Sequence, residues 1–384
     1  MLNKEKSPFL FGKTVSGNEF LNREKDIEHL WLNMRSGINT VLISPRRWGK
    51  SSLVEQTATL KSDEKKVKWC FIDMFSIRSE AEFYERFSRE LLKATSSKWQ
   101  GWVANAGKYL KRIVPHINIG SQPMEDFSIS FEWEELERHR DEILNLPENI
   151  ACNQGIQLIV CMDEFQNIHT FKEAEAFEKM LRSHWQHHKH VSYCLYGSKR
   201  SIMTDIFNRK NRAFYRFGDL IMLDKIDTEH WQPYITEHFT QTGKAIDDAL
   251  TSKIITLMQR HPFYIQQLSH YVWELTDTEA DEATLLQAIK RMLDVNNALY
   301  KQEVEELNNT QVNLLKAILN GEAQMTSVET MRKYSIGTPQ NVIKNLRALE
   351  KEDIIEKQGK KYALLDPAFA LWFKTYYMEK PLTI

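Results

Sequence analysis

The chain has 384 residues, room for two or three domains and a sizeable core. Apolar residues make up 42% and charged residues 27%, the balance of a globular chain. A formal net charge of -1 gives no global electrostatic case for nucleic acid or an anionic membrane, and scarce Gly and Pro (14 and 10) argue against disorder and against an all-β sandwich full of tight turns.

The N-terminus, "MLNKEKSPFLFGK", lacks an apolar signal core, and no stretch approaches the roughly 18 apolar residues of a membrane span. Of the four cysteines, Cys70, Cys152, Cys161 and Cys194, three sit in or beside apolar strand-like runs and none has metal spacing. Reduced, buried thiols in a cytoplasmic protein are expected.

Residues 20–36 carry apolar side chains at helical spacing. A short apolar run at 40–43 follows, then "SPRRWGKSSL", with a helix to about Leu60. "KVKWCFIDMF" (66–75) reads as a second buried strand, with Trp69 and Cys70 in the core. Residues 80–113 have a helical pattern, and 114–136 read as an irregular insertion with a hairpin. After another helix, "GIQLIVCMDEFQNI" (155–168) is the most strand-like run of the chain. A helix at 171–189 precedes strands at 190–198 and 219–226. Strands alternating with helices indicate a parallel sheet covered on both faces.

Residues 228–300 read as several helices. The remainder reads as three helices and then a β-ribbon in "KKYALLDPAFALWF", the order of a winged helix-turn-helix. No internal repeat or low-complexity tract is evident.

The turn after the first strand has the parts of a phosphate loop. Gly49 permits close backbone approach, Lys50 can reach terminal phosphates, and the Ser51 hydroxyl can ligate Mg²⁺. Ser44 stands where the usual pattern has glycine, and with Pro45 following it is held to extended conformations. The loop should therefore begin differently while its anion-facing half is kept. The bulky Arg47 and Trp48 are expected to point outward. Further along, "LIVCMDEF" ends a strand on Asp163 and Glu164. In phosphate-loop ATPases such an Asp holds Mg²⁺ through its hydration shell, and the Glu positions or deprotonates the attacking water.

With these motifs in order, the chain resembles the archaeal-type P-loop ATPases of the STAND/AAA+ group over nearly its whole length. "SPFLFGKTVSGNEFLNREKDIEHL" is similar to that family's N-terminal element, which implies Phe20, Asn22 and Arg23 near the adenine and ribose. "SPRRWGKSSL" is similar to its phosphate loop, where Ser at the first position is an accepted variant; Pro45, Arg46, Arg47, Trp48, Gly49, Lys50, Ser51 and Ser52 would surround the phosphates. "YCLYGSKRSIM" implies Ser198 as the sensor of the γ-phosphate. "RAFYRFGDLIML" implies an arginine finger at Arg216, with Arg212 as rival, Ala213 replacing the family's proline. "QRHPFYIQQL" implies His261 and Pro262 near the nucleotide, Arg260 replacing a glycine.

The implied fold is α/β, a P-loop NTPase (AAA+-like) parallel sheet in residues 1–226, then a helical lid in 227–300 and a winged helix in 301–384. The implied ligands are ATP and Mg²⁺. The expected function is a slow ATPase acting as a nucleotide-dependent switch toward a protein client or a further copy of itself. Two rivals stand beside it: an ATP-tuned DNA-binding regulator or defence component, and a scaffold that holds nucleotide without turnover, motivated by Ser44, Ala213 and Arg260.

Other features have plainer readings. "SHWQHHKH" places His184 and His188 at the i,i+4 spacing of a metal pair, with His187 and His190 beside them, but histidines also favour helix C-termini. Lys344, Arg347, Lys360 and Lys361 could meet DNA phosphates, yet Glu350, Glu352, Asp353 and Glu356 interleave with them, favouring protein docking. Phe369, Trp372, Phe373, Tyr376 and Tyr377 read as the packing face of a last helix.

Overall fold

The computed structural model describes residues 6–96, 117–119, 127–129 and 133–382. They form two compact units, one of residues 24–44 and 53–223, the other of residues up to 23, 45–52 and 224–384.

The first unit is built on a sheet. Strands β1 (Thr40–Ile43) and β2 (Val67–Asp73) come first. A short antiparallel pair, β3 (Ile117–Ile119) and β4 (Phe127–Ile129), supplies the hairpin expected in the insertion. Strands β5 (Gln157–Asp163), β6 (Val191–Gly197) and β7 (Asp219–Met222) complete the set. The main sheet has the order β2-β5-β6-β1-β7 and every pairing is parallel. Its registers set Ile43 beside Gly197, Met162 beside Leu195, and Asp73 beside Asp163. The carboxyl ends of β1, β5 and β6 thus share one edge, where open α/β sheets bind ligands.

Helices α1 (Glu24–Arg35), α2 (Lys50–Leu60), α3 (Glu80–Ala94), α4 (Trp133–Leu144), α5 (Leu146–Gln154), α6 (Ala174–Trp185) and α7 (Arg200–Asn208) follow the expected alternation. The helical pattern expected over 80–113 is described as far as Ala94, and 97–113 lie outside the described residues. One sheet face presents Val41, Ile72, Val160, Met162 and Leu195 to the aromatic faces of α3 and α6, including Phe83, Phe87 and Trp185. On the other face Ser192 Oγ donates to the Met34 carbonyl of α1 at 2.9 Å. β5 and β6 are buried nearly throughout, as a central parallel strand must be.

The reading of β2 as a buried strand is corrected. It lies at the sheet edge and alternates, with Cys70 and Ile72 buried and Phe71 39% exposed. Trp69 is half-buried, stacked at 6.2 Å from Trp31 and 6.3 Å from Phe71. An edge strand covered on one face reads as period two.

In the second unit α8 (Thr228–Gln241), α9 (Asp248–Leu257), α10 (Pro262–Leu275) and α11 (Glu282–Glu305) precede α12 (Asn309–Leu319), α13 (Val328–Tyr334) and α14 (Pro339–Lys351). The ribbon β8 (Ile355–Gln358) and β9 (Lys361–Leu364) and helix α15 (Pro367–Trp372) follow. Starts are capped as their sequences require: Asn308 and Gln311 form a reciprocal capping box, and Asp366 caps α15 ahead of Pro367. That cap ends the ribbon at Leu364, so the "DPAFALW" half of the segment read as ribbon is helical.

One hydrophobic core runs through this unit, from Leu268 and Val272 through Leu285 and Met292 to Leu315 and Trp372. Tyr300 of α11 lies 5.3 Å from Phe369 and 5.7 Å from Trp372, ring centre to ring centre. Phe369, Trp372 and Phe373 are buried as the aromatic spacing predicts. Tyr376 and Tyr377 are instead 40% and 41% exposed, and Tyr376 donates to Asp294 at 2.6 Å. Among the described residues no helix is long and apolar enough to cross a membrane.

Candidate functional site

β1 delivers the chain through buried Ser44 and Pro45 into the loop before α2. Ser44 is absent from the left-handed residues, as a residue before proline should be. The loop makes its left-handed steps at Arg47, φ 63°, and Gly49, φ 89°. A Cβ at Gly49 would meet no atom of the described residues within 4 Å, so what favours glycine there is backbone conformation and open approach. α2 begins at Lys50, and its first-turn N–H groups follow directly on this turn. Lys50 is buried, and its ammonium donates to the Pro45 carbonyl at 3.0 Å. Ser52 is also buried, its hydroxyl accepting from Val15 N–H at 3.1 Å. Ser51 is half-buried and Arg46 exposed.

Trp48 does not point outward. It is buried, its ring centre 6.1 Å from that of His261 in an edge-on contact, with the Lys225 ammonium 5.8 Å above the indole. A large indole gains more from burial than from exposure. Arg47 lies over the Phe263 ring at 4.5 Å and donates to the Tyr264 hydroxyl at 3.1 Å. Tyr264 in turn donates to Asp366, the cap of α15. Desolvation raises the Asp366 carboxyl against the lowering pull of Tyr264 and nearby backbone N–H groups.

His261 stands at the N-cap position of α10 without a side-chain capping bond, and Pro262 takes the first turn. The imidazole is buried, and among the described residues its Nδ1 has no hydrogen-bond partner. Burial, then the cations Lys225 and Arg47, push its pKa down to about 3, so the ring is neutral. The preceding Gln259 and Arg260 are both left-handed, φ 50° and 60°, a conformation natural to glycine. Arg260 also forms an exposed ion pair with Asp227 at 2.7 Å. In the N-terminal box, Asn22 and Arg23 are likewise left-handed, and Phe20 is half-buried. The buried Arg23 donates to the Asp224 carbonyl at 2.7 Å.

In the sheet unit the acid pair stands at the end of β5. Asp163 closes the strand, and its Oδ1 accepts from Glu164 N–H at 2.7 Å. Glu164 turns left-handed, φ 51°. Ser198, just past β6, donates to Glu164 Oε2 at 3.0 Å, and Gln166 Nε2 donates to the same oxygen. The two sequence-derived residues Glu164 and Ser198 are therefore in contact. Gln166 was missed, although it lies in the strand-like run "GIQLIVCMDEFQNI". A lone glutamine two residues after the acids carries no signal of its own without knowledge of where its amide points.

Arg212 and Arg216 differ sharply. The Arg212 guanidinium sits 2.5 Å from Glu178 and 3.1 Å from Glu175, and also meets His169 at 2.8 Å. Glu178 is almost wholly enclosed, and burial pushes its carboxyl up to about 7 despite the arginine. Arg216 is exposed and left-handed, its guanidinium 5.3 Å from the Tyr215 ring.

The histidine run is dispersed among separate contacts. His184 lies 3.4 Å from Asp141, His188 bridges the Tyr193 hydroxyl and Asn145, and His190 pairs with Glu148 at 2.8 Å. Among the described residues no group of three or more His, Cys, Asp or Glu could hold a metal. In the C-terminal segment Lys344, Arg347, Lys360 and Lys361 are all exposed.

Comparison with known proteins gives two family matches: an ATPase domain predominantly from Archaea over residues 20–268, and a probable winged helix domain over 298–375. No curated protein matches the sequence. Among solved structures the chain is similar to a Walker-type ATPase of Pyrococcus abyssi, with 18% identity and a TM-score of 0.66, covering 94% of this chain and 98% of that one. It is also similar to the ORC2 protein of Aeropyrum pernix, solved in ADPNP–ADP complexes, with 14% identity and a TM-score of 0.51 over 95% and 92% of the two chains. Such likeness establishes a shared fold, here the AAA+-like P-loop architecture with a C-terminal winged helix.

Proposed function

The chain belongs to the family of ATPase domains found predominantly in Archaea, and on that premise we propose that it is a nucleotide-dependent switch that binds ATP and hydrolyses it slowly. The phosphates are held by the amides of the loop from Pro45 to Ser52 and by Lys50. Ser51 and Asp163 offer the hard oxygen donors that Mg²⁺ takes, so the residues present fit that ion. An ion held there would supply neutralisation of charge on the phosphates. Glu164 receives the proton of the attacking water, and Ser198 meets the γ-phosphate. Phe20, Asn22, Arg23, His261 and Pro262 are assigned to the nucleoside side, and Arg216, the exposed arginine, to the finger.

The observation that carries this reading is the loop itself. Its left-handed step at Gly49 leads straight into the N-terminus of α2, and the Lys50 ammonium rests on the loop's own Pro45 carbonyl. An anionic phosphate is a stronger acceptor than that carbonyl, so nucleotide can take the ammonium over. ATP binding by the wild type and by Lys50→Ala tests the site, and equal affinity in both rejects it. Phosphate release abolished by Glu164→Gln separates turnover from mere retention of nucleotide. Light scattering with and without a slowly hydrolysed ATP analogue reads the state change and any self-association together.

The exposure of Lys344, Arg347, Lys360 and Lys361 favours one second reading, a DNA contact through the winged helix. Duplex binding with a steep salt dependence, lost in Lys344→Glu with Arg347→Glu, supports it. Absence of duplex binding at low salt removes it and leaves a protein client.

A further inference from the structure

The geometry points to Gln166 as the residue that positions Glu164 for its work on water, an inference that rests on the assignment of Glu164 as general base made above. Two donors converge on one oxygen of that carboxylate: Ser198 Oγ at 3.0 Å and Gln166 Nε2, both on Oε2. Among the described residues Oε1 receives no hydrogen bond, so the clamp leaves one oxygen of the pair for a proton. Glu164 needs such a clamp. Its backbone is left-handed, in the sharp turn out of β5, and its side chain has three rotatable bonds that a half-exposed site does not fix.

Gln166 is placed for this by its own surroundings. It is only 3% exposed. Among the described residues its Oε1 has no hydrogen-bond partner, a cost that the amide accepts to keep its N–H aimed at Glu164. The opposite amide orientation would set oxygen against carboxylate oxygen, so the assignment of the two ends follows from charge. The seat for the amide is the bare Cα of Gly197. A Cβ there would lie 1.9 Å from Gln166 Oε1, and 2.9 Å from Met203 Sδ. Gly197 has an ordinary backbone conformation, so its lack of a side chain serves space and not turn geometry. The glycine ending β6 and the glutamine after β5 are thus two halves of one device: the first clears the room in which the second reaches the carboxylate.

Gln166→Met keeps length and burial and removes the donor. The expected result is that kcat falls roughly tenfold or more while KM, ADP affinity and the melting temperature hold within about twofold or a few degrees. Gly197→Ala pushes the amide off its seat from the other side and gives the same pattern, which keeps the test valid should the methionine variant fold poorly. A kcat within about twofold of wild type in either folded variant overturns the inference, as does a loss matched by equal weakening of nucleotide binding and of thermal stability. Glu164→Gln is measured alongside. If it retains wild-type turnover, the general-base assignment itself falls. If it is inactive and Gln166→Met is not impaired, only the positioning role falls.

Discussion

The Arg47 guanidinium donates to the Tyr264 hydroxyl at 3.1 Å, and that hydroxyl donates in turn to the Asp366 carboxylate. Three distant parts of the chain meet in this line: the loop after β1, the first turn of α10 and the cap of α15. Asp366 also accepts from Phe369 N–H at 2.8 Å, so the same carboxylate that meets the tyrosine starts the last helix. Tyr264→Phe removes the bridge and leaves a desolvated carboxyl one donor short. The expected cost is roughly 1–3 kcal/mol in denaturant unfolding. On the switch reading, hydrogen exchange at α15 responds to bound nucleotide in the wild type and loses that response in Tyr264→Phe.

His261 gives stability a pH dependence of definite sign. Its folded-state pKa, about 3, lies below the unfolded value because burial and then Lys225 and Arg47 disfavour the imidazolium. The unfolded chain takes up a proton below roughly pH 6.5 and the folded chain does not. The neutral ring's contribution is therefore fully present above that pH and is lost as pH falls toward 3, at up to about 1.4 kcal/mol per pH unit. Urea melts of wild type and His261→Asn between pH 7 and pH 5 check this. The wild type should lose stability more steeply, and parallel curves would contradict the neutral assignment.

Arg212 and Arg216 should behave as a structural and a surface arginine. Arg212→Ala strands Glu178, whose side chain is 1% exposed, without its ion-pair partner. A loss of about 3–5 kcal/mol is expected by chemical denaturation. Arg216→Ala should change stability by less than about 0.5 kcal/mol, and any loss of turnover it causes then belongs to chemistry. An Arg212→Ala protein that unfolds at the wild-type denaturant concentration would contradict the ion-pair reading.

Gly49→Ala isolates the backbone. No neighbour among the described residues would touch the added methyl, so the penalty comes from φ 89°, about 1–2 kcal/mol. Relief of that strain would turn the loop amides, and ATP affinity should fall together with stability. Calorimetric titration with ATP reads the affinity, and unchanged binding would separate the loop's shape from phosphate recognition.

Local signals were legible without coordinates. The apolar runs of β1, β5 and β6 are contiguous, and Asp163 and Glu164 follow one of them directly. The Gly-Lys-Ser turn acts on backbone atoms within a few positions, whereas the Asp366 cap lay inside a segment read as ribbon. The left-handed backbone at Arg260 gives a physical sense to the glycine it replaces, though the residue type alone did not disclose it.

What sequence alone determined here is most of the elements and the places of the contiguous motifs along them, because hydrophobic period and turn are enforced over a few residues. Tertiary structure decided the rest: that β2 is an edge strand, that Trp48 turns inward onto His261, that Arg212 is locked among acids, and that Gln166 reaches Glu164 across the space above Gly197. Each depends on where a side chain meets atoms brought up by the fold, often from far along the chain. Arg47 meets Tyr264 across 217 positions, a distance at which residue type says nothing about contact until the sheet and the helices have been packed.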